Sequence, residues 1–488
     1  MADLKFMSIL LLTISFTYVI FCESELISDD LGYPQSPPPS SVPTYPPLPT
    51  SAPPVPSYVP APFSNPPAPA PSSSPPEPAS ISPSPSYPSS PTSPLTPFFL
   101  ATPPPSSNQT IPTPSYSPPA MPYPSPSSLT PSEPPSPIPS PPAPNHRHIK
   151  AAYWPSFDGF PASSIDTSYF THIYYAFLQI DPNTYVLNIT PLDQQQIPSF
   201  ITALRTRNPP VKTLLSIGGA GNNRTALSQM VSTEETRKIF IESTIEVARK
   251  YGFDGIDFDW EFPENDRDMS NLGLLYKQWR IALNHEAIIG GKPRLLLTSA
   301  VYYASKHNLY GELATYPAQV MAKYLDWVSP MCFDYHGSWE NFTGAHAALF
   351  DLKSSISTSN GLVSWIQAGL PTKKLVMGLP LYGHTWTLKD PNVNGIGAPT
   401  VNVGPGGGIL RYYEIVDFNK GNNVTVVMDW PTVSYYAFVG DSWVGYDDSD
   451  SIKMKVRFAR FWGLRGYFFW ALGLDKDWTI SREASNAW

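Results

Sequence analysis

The chain has 488 residues but only two cysteines, Cys22 and Cys332. That excludes a disulfide framework as the source of its stability. Cys22 ends an apolar N-terminal run, which leaves Cys332 alone in the apolar stretch Trp327–Phe333, where it reads as a buried small hydrophobe. Charge is also scarce. Thirty-one Lys and Arg against 39 Asp and Glu give a net charge of −8, so neither nucleic acid nor an anionic membrane is a natural partner. After Phe21 no apolar run is long enough to span a bilayer. No His/Cys/Asp grouping has the spacing of a metal site, and no Gly-rich phosphate loop precedes a helix, so neither metal nor cofactor is expected.

Proline and aromatic residues are what the chain does have. Of 61 prolines, 44 lie between Tyr33 and Asn145. Proline at this density removes amide donors and fixes φ, so residues 23–145 are expected to form an extended, disordered arm without a core. Ahead of it, Lys5 and the run Phe6–Phe21 read as a secretory leader over residues 1–22, with an uncleaved anchor as the alternative. Secretion and five Asn-x-Ser/Thr sites, at Asn108, Asn188, Asn223, Asn341 and Asn423, go together with glycosylation. Aromatic residues make up 13% of the chain, which suits a neutral polysaccharide whose rings stack on them. The chain is expected to be monomeric.

From residue 146 onward, strand-like and helix-like stretches alternate. Eight apolar runs read as strands: Ile149–Trp154, His172–Ile180, Val211–Ile217, Gly252–Glu261, Arg294–Tyr302, Leu325–Tyr335, Lys374–Trp386 and Leu464–Leu474. Between them, Ser232-Thr233-Glu234-Glu235 reads as a capping box ahead of a helix carrying Phe240, Thr244 and Ala248 and ending at Gly252. Leu272, Leu275, Trp279 and Leu283 mark a second helix. This alternation predicts an α/β fold, a (β/α)8 TIM barrel over residues 146–488, with a small α+β insertion at 387–449 between strands seven and eight.

The fourth strand carries the chemistry. Asp257, Asp259 and Glu261 recur at every second residue and so share one face, while Ile256, Phe258 and Trp260 face the other way. No basic residue interrupts the row. Crowded, enclosed carboxyls raise one another's pKa, which keeps an acid protonated near neutral pH. A solvated acidic edge strand is the alternative, but such strands rarely alternate with Ile, Phe and Trp. Asp254 has the wrong parity for the row and reads as a structural acid.

Asp254-x-x-Asp257-x-Asp259-x-Glu261 resembles the signature of the family 18 glycoside hydrolases, the chitinases. Ser216-Ile217-Gly218-Gly219 resembles the family's third-strand motif, Met331-Cys332-Phe333-Asp334-Tyr335 its sixth-strand motif, and Trp470 its eighth-strand tryptophan. Gly445-Tyr446-Asp447-Asp448 and the insertion resemble the plant class V branch, while the proline-rich arm loosely resembles extensins. The resemblance implies a secreted hydrolase of chitin or other β-1,4-linked N-acetylglucosamine chains, retaining and substrate-assisted. In it Glu261 is the general acid and base, Asp259 orients the substrate acetamido group, and Asp257 lies beneath. Asp334, Phe333, Tyr335, Trp470 and Met331 would bind substrate. Tyr153, Phe177 and Tyr382 lie near strand ends and are candidate cleft residues or ordinary core, and Trp386 is a further candidate. His336 and His384 receive no role. The arm would contact cell-wall polymers. One departure stands out: the family's tyrosine before the sixth-strand Asp is Phe333 here. An attenuated chitin-binding lectin, suggested by Phe333, and a wall structural glycoprotein, suggested by the proline-rich arm, are the competing expectations.

Overall fold

The computed structural model describes residues 148–488, so the expected leader and the proline-rich arm lie outside the described residues. Eight parallel strands form the centre: β1 (Ile149–Pro155), β2 (His172–Ile180), β3 (Lys212–Gly218), β4 (Gly255–Asp259), β5 (Leu296–Tyr302), β6 (Trp327–Met331), β7 (Val376–Pro380) and β8 (Gly466–Trp470). Their hydrogen-bonded order is β7-β8-β1-β2-β3-β4-β5-β6, and a parallel bridge from Val328 to Leu375 brings β6 to the start of β7. The sheet closes into the expected barrel.

Strand parity holds in β4. Phe258 faces outward against Phe240 and Trp279, which come from the two helices that flank the strand, Glu234–Tyr251 and Asp266–Gly290. Asp257 faces inward and is completely buried. The first of these helices starts as its composition dictates. The Thr233 hydroxyl accepts from the Thr236 amide at 3.1 Å, so the cap sits one residue beyond the predicted Ser232–Glu235 box. Gly252 ends it at φ +80°, a left-handed conformation that glycine adopts without cost. Leu272, Leu275, Trp279 and Leu283 are all buried on the second helix.

The first crossover departs from the alternating pattern. Only two 3-10 turns, Ala162–Ser164 and Thr167–Tyr169, join β1 to β2. Asp166 accepts from both the amide and the hydroxyl of Ser168, local bonds of the kind that compete with a helix.

The insertion begins earlier than predicted. The run Lys374–Trp386 is two strands, not one: Val376–Pro380 belongs to the barrel and Tyr382–Leu388 to a separate sheet. Proline has no amide to donate, so Pro380 ends the barrel pairing, and the Leu381 amide bonds to the Trp470 carbonyl as the chain turns away. The second sheet is antiparallel, in the order Thr400–Val403, Tyr382–Leu388, Ser442–Tyr446, Ser434–Val439, Thr425–Asp429, with Ile409–Arg411 also on Tyr382–Leu388. Trp386 and Trp443 meet edge to face at 5.3 Å in its own small core. Where the insertion returns to the barrel, Lys455 and Asp447 form an almost fully buried ion pair at 2.6 Å, and Lys455 also donates to the Ala347 carbonyl. Asp447, from the Gly-Tyr-Asp-Asp motif, is thus structural. Among the described residues no helix is long and apolar enough to cross a membrane.

Candidate active site

The carboxyl ends of the barrel strands carry the acid row. At its base Asp257 accepts three hydrogen bonds: from Tyr153 Oη at 2.8 Å, Ser216 Oγ at 2.8 Å and Thr298 Oγ1 at 2.6 Å. Burial pushes its carboxyl up, and the three donors offset this only in part. Asp259, at the strand's last position, is buried with its Oδ1 lacking a hydrogen-bond partner. Burial, then Glu261, then Asp257 hold its carboxyl well above the usual range. Glu261 lies past the strand end, because β4 stops at Asp259 rather than at the predicted Glu261. Burial and the charge of Asp334 raise its carboxyl to about 8, so it carries a proton at neutral pH. Asp254 takes its expected structural place, accepting from the Thr213 amide at 3.0 Å.

Two glycines of Ser216-Ile217-Gly218-Gly219 make room for the row. At Gly218, φ +112°, a Cβ would stand 2.0 Å from the Asp259 carbonyl oxygen. At Gly219 it would stand 2.5 Å from the Phe177 ring. That ring is needed, because Phe177 stacks on Trp470 at 5.5 Å and 14°. Trp470 is half-buried, and Tyr153 lies 5.6 Å from it. Tyr153 itself is buried, stacked on Tyr174 and bonded to Asp257, so it supports the row from below rather than lining an open cleft. Non-proline cis peptides stand at Ala176-Phe177, Glu261-Phe262 and Trp470-Ala471.

Past β6 the chain is irregular. The amides of Cys332 and Phe333 fold back onto Pro330 and Met331, and Asp334 is left-handed at φ +60°. Alternation fails there, and with it the predicted placement of Tyr335. That side chain is buried away from the acids, with its hydroxyl 3.0 Å from Thr358 Oγ1 and its ring on Tyr303. It does not stand in for the hydroxyl that Phe333 lacks. Phe333 is half-buried, edge-on to Tyr382 and Phe468. Met331 ends β6 beside Tyr302, packed on the main core. Cys332 is buried as expected, and burial raises its thiol to about 12.

The insertion completes the site. On its first strand, Tyr382 and His384 share a face. Tyr382 Oη donates to Asp334 Oδ1 at 2.6 Å, and His384 Nε2 lies 2.8 Å from the same oxygen. His346 Nδ1 is 3.7 Å away. Desolvation would raise the Asp334 carboxyl, but the two histidines outweigh it and hold the group well below the carboxylate range. Trp386, next on that face, is fully buried and donates to the Gly337 carbonyl, so it belongs to the insertion core and not to the cleft. His336 pairs with Glu340 instead. His346 was not foreseen, and His384 had no assigned role. The only local signal was that His384 lies two residues beyond Tyr382.

A protonated acid facing an ionised one gives a pH dependence with a definite sign. Replacing Asp334 by Asn removes a negative charge that raises the Glu261 carboxyl. Any activity that needs protonated Glu261 is expected to fall as pH passes about 8 in the wild type, and at lower pH in Asp334→Asn. The alkaline limb of kcat/KM measures this.

Comparison with known proteins gives concordant matches. Residues 149–475 match the model of the glycosyl hydrolases family 18. A class V chitinase of Medicago truncatula is 58% identical over 345 residues, 70% of this chain and 89% of that protein. Among solved structures, a mutant class V chitinase from Nicotiana tobaccum in complex with NAG4 superposes with a TM-score of 0.68. It is 39% identical, over 70% of this chain and 99% of that one. A chitinase-like agglutinin from Robinia pseudoacacia superposes with a TM-score of 0.65, also at 39% identity and the same coverage.

Proposed function

The chain belongs to the glycosyl hydrolases family 18, and from that premise we propose that it hydrolyses β-1,4-linked N-acetylglucosamine chains with retention of configuration. One observation carries this reading. Glu261 is held protonated at the mouth of the barrel by burial and by Asp334, directly beyond the buried pair Asp257 and Asp259. The NAG4 complex of the Nicotiana chitinase supports the substrate class.

In the first step the Glu261 proton passes to the glycosidic oxygen as that bond breaks. The substrate's own 2-acetamido oxygen attacks the anomeric carbon and forms a cyclic oxazolinium, so no enzymic nucleophile is used. Asp259 orients the acetamido N–H and, as its proton passes to the neighbouring carboxylate Asp257, stabilises the positive charge that develops there. Asp257, fixed by its three donors, sets the field beneath it. Glu261, now a carboxylate, takes a proton from water as the water attacks the anomeric carbon and the acetamido oxygen leaves. Trp470, backed by Phe177, is the stacking floor for the sugar at the cleaved bond. Asp334, Tyr382 and Phe333 form the wall around the acetamido group.

Phe333 and the likeness to an agglutinin favour a second reading, a lectin with slow catalysis. Phe333→Tyr decides between them. Restoring a hydroxyl beside the acetamido group is worth roughly 1.5–3 kcal/mol, so kcat on N-acetylchitotetraose is expected to rise about ten- to a hundredfold. Two inactive proteins that both bind the tetramer would favour the lectin. We also propose secretion through the leader at 1–22, with the arm at 23–145 acting as a spacer toward wall polymers. Loss of wall retention on deleting the arm would support this, and unchanged retention would count against it.

A further inference from the structure

Asp334, His346 and His384 come from three separate segments: the β6 end, the loop after it and the first strand of the insertion. Each offers one ligand atom, and the three atoms lie within 4.8 Å of one another. The separations from Asp334 Oδ1 are 2.8 Å to His384 Nε2 and 3.7 Å to His346 Nδ1. Tetrahedral zinc with ligands at roughly 2.0–2.2 Å places them about 3.4 Å apart, so the triangle needs only side-chain adjustment to hold an ion. Two imidazoles and one carboxylate suit a borderline divalent transition ion rather than calcium or magnesium.

A second observation points to a ligand. His346 is only 1% exposed, yet neither of its ring nitrogens has a hydrogen-bond partner, and Nδ1 of the buried His384 also has none. Buried polar atoms without partners are costly and rare in folded proteins. The Asp334 side chain is 42% exposed and gives an ion a route in from the cleft.

We propose that Asp334, His346 and His384 form a binding site for a divalent transition cation of the zinc class, and that filling it stops hydrolysis. The inhibitory half rests on the wall role proposed for Asp334 and Tyr382. A bound dication would take up the Asp334 oxygen that Tyr382 and His384 share and would occupy the acetamido wall. The binding half rests on geometry alone.

The test uses the full chain, stripped with a chelator and titrated with ZnCl2 in a calorimeter, beside His346→Gln and His384→Gln. One ion per chain is expected to bind the wild type. Each variant should lose more than the ~10–100-fold in affinity that loss of a mere supporting group costs, while its metal-free form still unfolds in one cooperative transition. Zinc should also stop hydrolysis of N-acetylchitotetraose, with chelator restoring it. Equal zinc affinity in wild type and both folded variants overturns the site, as does no binding at all. Hydrolysis that persists with the site filled overturns the inhibition. A wild type that binds zinc through these residues but never hydrolyses the tetramer upholds the site and refutes the catalytic reading instead.

Discussion

Glu261→Gln is expected to lower kcat on N-acetylchitotetraose by roughly 10⁴-fold, the upper end of what a general acid contributes, with KM changed only slightly. Gln has nearly the same shape but cannot give up a proton to the leaving oxygen. The large figure follows from where Glu261 sits. Its carboxyl is raised to about 8 by burial and by Asp334, so in the wild type the proton is in place at working pH. Because the folded carboxyl is raised above its unfolded value, the thermal midpoint at neutral pH should hold or rise in the Gln variant. Hydrolysis that survives the change undiminished would place the acid elsewhere.

Asp259→Asn is expected to cost about 10²–10³ in kcat, or ~2.7–4 kcal/mol, the range for removing a group aimed at developing charge. Asn can still bond an acetamido N–H, but it cannot ionise to meet the positive charge of the intermediate. Stability should move the other way. The folded carboxyl is held well above its unfolded value, so its favourable contribution is complete below the unfolded pKa and is lost as pH rises toward the folded one. At neutral pH the variant should therefore melt at the same temperature as the wild type or higher. A large fall in melting temperature would make Asp259 a structural residue first. Its main-chain carbonyl, which accepts from the Gly219 amide, is untouched by the change.

The acid row was legible because parity is a property of the backbone. Asp257 inward and Phe258 outward follow from the alternation of a strand buried on both faces, and no distant contact is needed to predict them. Gly218 and Gly219 were recognisable as a motif, but their reason, room for the Asp259 carbonyl and the Phe177 ring, is tertiary. The irregular end of β6 was legible too, because the resemblance uses both Phe333 and Asp334, which strict alternation puts on opposite faces; the placement of Tyr335 was not. Tyr335 was expected on the site face, yet the turns at Cys332 and Phe333 and the left-handed Asp334 send it toward Thr358. Pro380 marked the break between β7 and the insertion, but the apolar run continues straight across it, so Tyr382–Trp386 read as barrel. That misplacement also hid His384, whose approach to Asp334 depends on the new strand. His346 had no local pattern at all. Only the folded loop brings it beneath the cleft, which is why spacing along the chain showed no metal-type cluster.

The most direct test of the mechanism is proton NMR of the first sugars released from N-acetylchitotetraose by the purified chain, read before the anomers equilibrate. The β-anomer at the new reducing end is the expected result, because the acetamido oxygen and then water attack from opposite faces. An initial α-anomer would mean direct displacement by water and would contradict the substrate-assisted mechanism. No new reducing end at all would contradict hydrolysis itself.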